Sequence, residues 1–455
     1  MKNVHLAVVL GATLGMSLVF ACSGKDGADG AMGATGNAGP TGSTGAVGTP
    51  GAPGAPGPSG APGPAGTTTT VDGGVADGGG MTGLPTSCLQ PCHGFNGIVE
   101  QWKTSTHYST YISNLGGTEV PSWTGQQVCG NCHANDAIEQ RTAGSILLAD
   151  GGVTGNLAKG ELEYRDPAGK LAEPLYAGNS KVAQVGCLTC HKYAQDPHVT
   201  GKTYADGDFP LRVPTGPDDE SFIEKSPDTS AVTGSSAGKL GPANACVWCH
   251  KSRKDVTNYV TATNKITSSH WGPHEGPQAD IYTGTGGYQY ANQAYGTSTH
   301  QQKLTCIDCH MPDVKTNDNR VNHSFYAQVS ACTQCHSDAK NFDISGGQSA
   351  VKASMLELQA ALNGAGMISR DGLLPMAAAD LADGQFALDL ARTNGGADAG
   401  TTTLTADQAG ALYNYFLLAR GGALGVHNPK YSKQLIFDSY VAVAGKPPTT
   451  LVRPQ

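Results

Sequence analysis

Hydrophobic and polar residues alternate with a sustained helical period in only one part of this chain. Beyond Gly346, apolar residues recur at helical spacing through Ser349–Leu362, Ala377–Arg392, Ala406–Arg420 and Tyr431–Ala444, which predicts four helices. Gly421-Gly422 and Pro429 punctuate the last two, as helix stop and start signals do. Residues 84–345 show no such period and are rich in Gly, Thr and Asn. They predict short helices joined by long loops. The N-terminal end holds one apolar run, Val4 to Ala21, and then polar Gly-rich sequence. The predicted fold class is mainly α with long loops. Four segments follow: 1–21, 22–83, 84–345 and 346–455.

The first two segments read as export and tether. Lys2 gives a positive start, and Val19-Phe20-Ala21-Cys22 looks like a bacterial lipobox, so the run predicts a cleaved signal peptide rather than a membrane span. Cys22 is then the lipidated first residue, and Ser23 after it resembles lipoproteins sorted to the outer membrane. The plainer alternative is an ordinary signal peptide with a coincidental cysteine. From Gly24 to Gly66 glycine occupies every third position without a break, a collagen-like Gly-X-Y tract. It reads either as a triple helix joining three chains or as a solvated stalk. The Pro-poor early triplets favour the stalk. Thr67 to Gly80 continues the linker.

Charge and composition narrow the partners. The net charge is −8 with no basic run, which argues against nucleic acid. Aromatic residues make up only 6% of the chain, thin for a folded region this long. An apolar cofactor would supply the missing mass, and the chain without it should fold poorly.

The motifs name that cofactor. A close cysteine pair followed at once by histidine occurs six times. The blocks are Cys88…Cys92-His93, Cys129…Cys132-His133, Cys187…Cys190-His191, Cys246…Cys249-His250, Cys306…Cys309-His310 and Cys332…Cys335-His336. C-x-x-C-H is the attachment signature of c-type haem: two thiols bond the haem and the imidazole becomes the proximal iron ligand. Zinc ribbons do not need His after each pair. A disulfide framework explains twelve cysteines but not the histidines. The first block departs by having three residues between its cysteines. Six haems are therefore expected, that at Cys88 and Cys92 on the weakest motif.

Distal ligands must come from the remaining histidines. Apart from His5, these are His107, His198, His270, His274, His300, His323 and His427. The stretch His300-Gln-Gln-Lys-Leu-Thr-Cys306-Ile-Asp-Cys309-His310-Met311-Pro312, then His323, then Cys332-Thr-Gln-Cys335-His336, resembles the pentahaem cytochrome c nitrite reductases. That family belongs with the hydroxylamine oxidoreductase and octahaem cytochromes. The resemblance runs from about residue 105 to 440, through Thr106-His107-Tyr108, Val185-Gly186-Cys187, Cys246-Val-Trp-Cys249-His250 and His427 between helices. It implies a multihaem core followed by C-terminal helices that supply a distal ligand. It pairs the haem of His191 with His323, that of His250 with His107, that of His310 with His427 and that of His336 with His300. The haem of His133 takes the family's catalytic position, the haem of His93 is an addition with His198 as its suggested ligand, and His270 and His274 lie near the catalytic position as candidate proton donors or ligands.

The chain also departs from the family. The usual C-x-x-C-K lysine is replaced by His133. No Arg or Lys lies between His107 and Cys129, where the catalytic Arg belongs, and Lys251, Ser252 and Arg253 stand where the catalytic Tyr and calcium-binding Glu are expected. Calcium is doubtful for that reason. Without a fixed cation and phenol, oxyanion reduction loses electrostatic help. The favoured expectation is electron transfer at the outer membrane, facing periplasm or exterior, between redox proteins or to an extracellular acceptor. The alternative is an oxidoreductase acting on nitrite, hydroxylamine or another small nitrogen or sulfur species at the haem of His133. A collagen-stalked adhesin leaves six haems unexplained. Self-association is expected through the collagen-like tract as a trimer or through the C-terminal helices as a dimer.

Overall fold

Short helical turns open the described part of the chain, and long helices close it. The structure, a computed structural model, describes residues 97–109, 132–133, 138–139, 142, 185–193, 208–213, 216, 218–225, 233–266, 271–314, 320–369, 386, 389–390 and 403–455. In chain order these carry α1 (Ile98–Lys103), α2 (Cys187–Cys190), β1 (Ser221–Lys225), β2 (Thr233–Gly238), α3 (Asn244–Val247), β3 (Thr263–Lys265) and α4 (Gln278–Thr283). Then come α5 (Thr299–Lys303), α6 (Cys306–His310), β4 (Asp313–Val314), β5 (Arg320–Val321) and α7 (Val329–Cys332). Last are α8 (Gly347–Gly364), β6 (Ile368–Ser369), β7 (Asp389–Leu390), β8 (Thr403–Thr405), α9 (Ala406–Gly421) and α10 (Pro429–Ala444). Among the described residues, sheet is confined to four antiparallel two-stranded pairs, β1–β2, β3–β8, β4–β5 and β6–β7.

The C-terminal helices carry the core. Helix α9 is apolar nearly all round, with Leu412, Tyr413, Tyr415, Phe416 and Leu417 fully buried; such a helix must be enclosed on every side. Helices α8 and α10 enclose it through Val351, Met355, Leu358 and Leu362 from one and Tyr431, Leu435 and Ile436 from the other. Each end of α9 and α10 has a local chemical cause. Thr405 Oγ1 accepts from Gln408 N (3.2 Å) and Gln408 Oε1 accepts from Thr405 N (3.1 Å), a capping box. Asn428 Oδ1 accepts from Tyr431 N (3.2 Å), with Pro429 at the first helical position. Gly422 and Gly445 end the two helices in the left-handed region. Two further glycines of α9 permit close packing: a Cβ at Gly410 would collide with the ring of Tyr288, and one at Gly421 would lie 2.5 Å from Ile281 Cδ1.

The expected helix at Ala377–Arg392 differs. Asp389–Leu390 is a strand paired with Ile368–Ser369, and apart from Phe386 the rest of that stretch lies outside the described residues. The reason is visible in the chemistry. Asp383-Gly384 is a turn signal, and Phe386, Leu388 and Leu390 repeat every second residue, the period of a strand. Among the described residues no helix is long and apolar enough to cross a membrane.

Candidate functional site

Each described cysteine–histidine block winds as a single helical turn. The N–H of the histidine donates to the carbonyl of the first cysteine in three of them: His191 to Cys187 (2.9 Å), His250 to Cys246 (2.9 Å) and His336 to Cys332 (2.8 Å). One turn of 3.6 residues therefore sets the first thiol and the imidazole on the same side. Local side chains start these turns: Asp308 Oδ2 accepts from Thr305 N (2.6 Å) ahead of Cys306, and Thr189 Oγ1 accepts from Gly186 N (2.9 Å) ahead of Cys187. None of the nine described cysteines is in a disulfide.

Facing these turns are the other histidines, one to each. The ring centroids of His107 and His250 are 5.9 Å apart, His191 and His323 6.3 Å, His310 and His427 6.2 Å, and His300 and His336 6.4 Å. These are the four pairs that the resemblance implies. A fifth joins them: His133 and His274, at 6.3 Å. Two imidazoles bound on opposite sides of one metal, each through a bond of about 2.0–2.1 Å with its ring centre roughly 1.1 Å behind the nitrogen, have centroids about 6.3 Å apart. All five pairs fit a metal held between them, and the thiols beside them fit a covalently attached haem. His93, His198, His270, Cys22, Cys88, Cys92 and Cys129 lie outside the described residues.

Hydrogen bonds from the rings choose which nitrogen is free to ligate. The Nδ1 atoms of His191, His274, His300 and His310 reach the main-chain carbonyls of Phe209 (2.7 Å), Glu275 (2.9 Å), Val426 (2.9 Å) and Phe325 (2.8 Å). His250 Nδ1 reaches a side chain instead, Gln278 Oε1, at 2.9 Å. A carbonyl only accepts, so each Nδ1 carries the proton and leaves the Nε2 lone pair for a metal. Burial, helped by His250, lowers His107 to about 4. His133 is lowered to about 4 by burial and then by His274, and His427 to about 4 by burial and then by His310. Neutral imidazole is the ligating form.

The scaffold around the pairs is built from loops. Residues 208–213 clasp the Cys187 block: Lys192 N donates to Pro210 O (2.8 Å), Arg212 N donates to Cys190 O (2.9 Å), and the Arg212 guanidinium reaches Leu188 O. Helix α1 joins the two sides of the His191–His323 pair, since Trp102 Nε1 donates to Val185 O (3.2 Å) and Gln101 Oε1 accepts from His323 N (2.8 Å). Phe325 sits at φ 58°, a conformation that is strained for a bulky side chain. That twist aims its carbonyl at His310 while its ring packs edge-on to His107 at 4.8 Å.

Neighbouring blocks lie close to one another. The sulfurs of Cys246 and Cys306 are neighbours, Cys190 lies within electrostatic reach of Cys246, and Cys309 within reach of Cys332. His250 feels His310, and His133 feels His107 and His250. The Cys246 block thus adjoins three others, those of Cys132, Cys190 and Cys306.

The surroundings of His133 and His274 hold cations that sequence reasoning did not assign. Arg420 donates to Pro273 O, lies 3.5 Å from Glu275 and stacks on Phe416 at 4.5 Å. Arg253 acts electrostatically on both histidines, and its buried Nε has no hydrogen-bond partner. Nearby, Asp280 is occupied: its carboxylate takes the Lys225 ammonium and accepts from Ser252 N (2.6 Å). All three residues are buried. A carboxylate already neutralised by an ammonium does not suit calcium, and no cluster of three or more acidic, His or Cys ligands occurs among the described residues. The main-chain acceptors of the ring protons left no trace in the sequence, because any residue type offers a carbonyl.

Comparison with known proteins gives two family matches. The collagen triple helix repeat profile matches residues 22–72, and the cytochrome c552 profile matches residues 291–453. The second span includes two cysteine–histidine blocks with His300, His323 and His427. Comparison with curated protein sequences gives no match. Among solved structures, the outer cell wall cytochrome OcwA is 16% identical with a TM-score of 0.37, over 76% of this chain and 50% of that chain. The chain thus spans about half the length of that cytochrome. The motifs and the cytochrome c552 match together make this a multihaem c-type cytochrome with a collagen-like region.

Proposed function

We propose that the chain is a hexahaem electron conduit, in which the haem of His133 is closed by His274 and passes electrons rather than turning over a substrate. The observation that carries this reading is the His133–His274 separation. At 6.3 Å it falls inside the 5.9–6.4 Å range of the other four histidine pairs, so the same coordination suits it. Haem supplies the one-electron chemistry. The protein's part is to fix two neutral imidazoles on each iron, orient them through Nδ1 and bring neighbouring haems close. The nearness of the Cys246 block to three others, and of Cys309 to Cys332, supports a branched layout linking the five described haem positions.

The remaining assignments belong to the same proposal. The sixth haem is bound at Cys88, Cys92 and His93 with His198 opposite. Residues 84–345 form the haem-binding region, and 346–455 a helical region that supplies His427. Export, lipidation at Cys22 and the stalk of residues 22–83 hold the folded part outside the cytoplasm at the outer membrane. There it meets redox proteins or an extracellular acceptor.

Electron paramagnetic resonance of the oxidised protein tests the central claim. Low-spin signals alone, unmoved by nitrite or hydroxylamine, are expected. The variant His274→Ala should add one high-spin ferric signal that responds to added ligand. A responsive high-spin signal already present in the unaltered protein would overturn the proposal in favour of catalysis at the haem of His133, with Arg253 and Arg420 as its nearby cations.

A further inference from the structure

His250 Nδ1 meets a side chain, Gln278 Oε1, whereas the Nδ1 atoms of His191, His274, His300 and His310 meet main-chain carbonyls. Its orientation is fixed from behind. Gln278 Nε2 donates to Gly421 O at 3.2 Å. A carbonyl cannot donate, so the amide nitrogen must face Gly421 and the amide oxygen must face His250. The oxygen in turn requires a proton on His250 Nδ1. Three groups from three separate segments therefore form one directed chain: Gly421 carbonyl, Gln278 amide, His250 imidazole.

The position is held tightly at both ends. Gly421 approaches α4 closely enough that a Cβ would lie 2.5 Å from Ile281 Cδ1, and Gly276 would place one 3.5 Å from His250 Nδ1. Gln278 opens α4, and Ala279 N donates to His250 O at 2.9 Å. The backbone of Gln278 is thereby fixed beside His250, and its amide is held by its own two hydrogen bonds.

We propose that Gln278 is a positioning residue that sets the reduction potential of the haem at His250, the branch point of the conduit; this rests on the electron-transfer reading above. An acceptor on Nδ1–H draws the ring proton toward itself and makes the imidazole a stronger donor to iron. A stronger donor stabilises the ferric state and lowers the potential. An amide oxygen is a moderate acceptor, a carboxylate a strong one and an alkyl group none. The choice of side chain at this position therefore tunes one haem. The four main-chain carbonyls offer no comparable choice.

Spectroelectrochemical titration of the purified holoprotein, in parallel with Gln278→Glu and Gln278→Leu, tests this. It is run at about pH 8, where an introduced carboxyl is ionised. One titration component is expected to shift downward in Gln278→Glu and upward in Gln278→Leu, while the other components and the haem content stay unchanged. The low-spin paramagnetic signal of one haem should move with it. If both variants keep full haem content and every component stays in place, the inference is wrong. A shift of the same sign in both is a packing disturbance and also overturns it. Failure of the electron-transfer reading looks different: the unaltered protein would then lack low-spin bis-histidine signals before any variant is compared.

Discussion

Asp280 sits at 1% exposure in the first turn of helix α4 and meets two groups at once, the Lys225 ammonium and the Ser252 N–H. Tyr413 adds a further link, its hydroxyl bonding Ser252 Oγ at 3.2 Å. A buried ion pair of this kind contributes little against an apolar replacement, but removing one partner strands the other charge. Asp280→Ala is therefore expected to cost about 3–5 kcal/mol, whereas Lys225→Met with Asp280→Leu should cost much less. Chemical denaturation of the holoprotein, followed by the haem absorbance, measures both. Equal losses in the single and double variants would show that the residues act through packing and not through charge. The pair also bears on the histidines, since Ser252 follows His250 by two residues and Asp280 follows Gln278 by two. Both sides of that pairing are pinned to one buried carboxylate.

At the scale of elements, the C-terminal tail works as a strap across α8. Glu357 accepts from Thr449 N (2.8 Å), Thr450 N (3.0 Å) and Thr450 Oγ1 (2.6 Å), while Arg453 grips Asp438 of α10 at 2.8 Å. Burial works against the ionised form of Glu357, but the hydrogen bonds from Thr450 and Thr449 outweigh it and lower its pKa to about 2. A folded pKa below the unfolded value, about 4.3 for Glu, gives stability that is complete above the unfolded value and is lost as pH falls toward 2. Digestion by a carboxypeptidase active in acid should therefore trim the tail progressively below about pH 4 and spare it at neutral pH. Glu357→Gln should expose the tail at neutral pH as well. A tail equally resistant at every pH would exclude this role for Glu357.

The helices beneath the strap were legible, α8 and α10 from apolar spacing on a buried face and α9 from the length of its apolar run ahead of Gly421-Gly422. The small sheets were not. Pairs such as Asp313–Val314 with Arg320–Val321 have too few residues to show alternation, and Thr233–Gly238 has almost no apolar residue to alternate. The histidine pairs were legible only through the family resemblance, since the partners lie far apart in sequence, as His107 and His250 do. The approach of His274 to His133 needed a distance, and His270 lies outside the described residues.

At the scale of the whole molecule, the collagen-like tract raises the question of how many conduits travel together. The unbroken glycine period and the match over residues 22–72 fit a triple helix, because only Gly fits that crowded axis, while the Pro-poor early triplets fit a stalk. If the triple helix forms, sedimentation of the full chain gives three times the monomer mass, and deletion of residues 24–66 returns a monomer. A monomeric full chain would leave the tract as a solvated stalk.

The turn joining α9 to α10 serves three haem positions. Gly421 holds Gln278, Val426 holds His300, and His427 faces His310. All three groups lie within seven residues, 421–427, and every cysteine–histidine block precedes them in the sequence. Each block can therefore wind its own turn, but the rings of His250 and His300 are not oriented, and His310 has no facing imidazole, until this one turn has docked. Under the proposed reading, order at three sites arrives in a single late step of folding, and loss of the turn would leave the haem attached beside His310 open to added ligands.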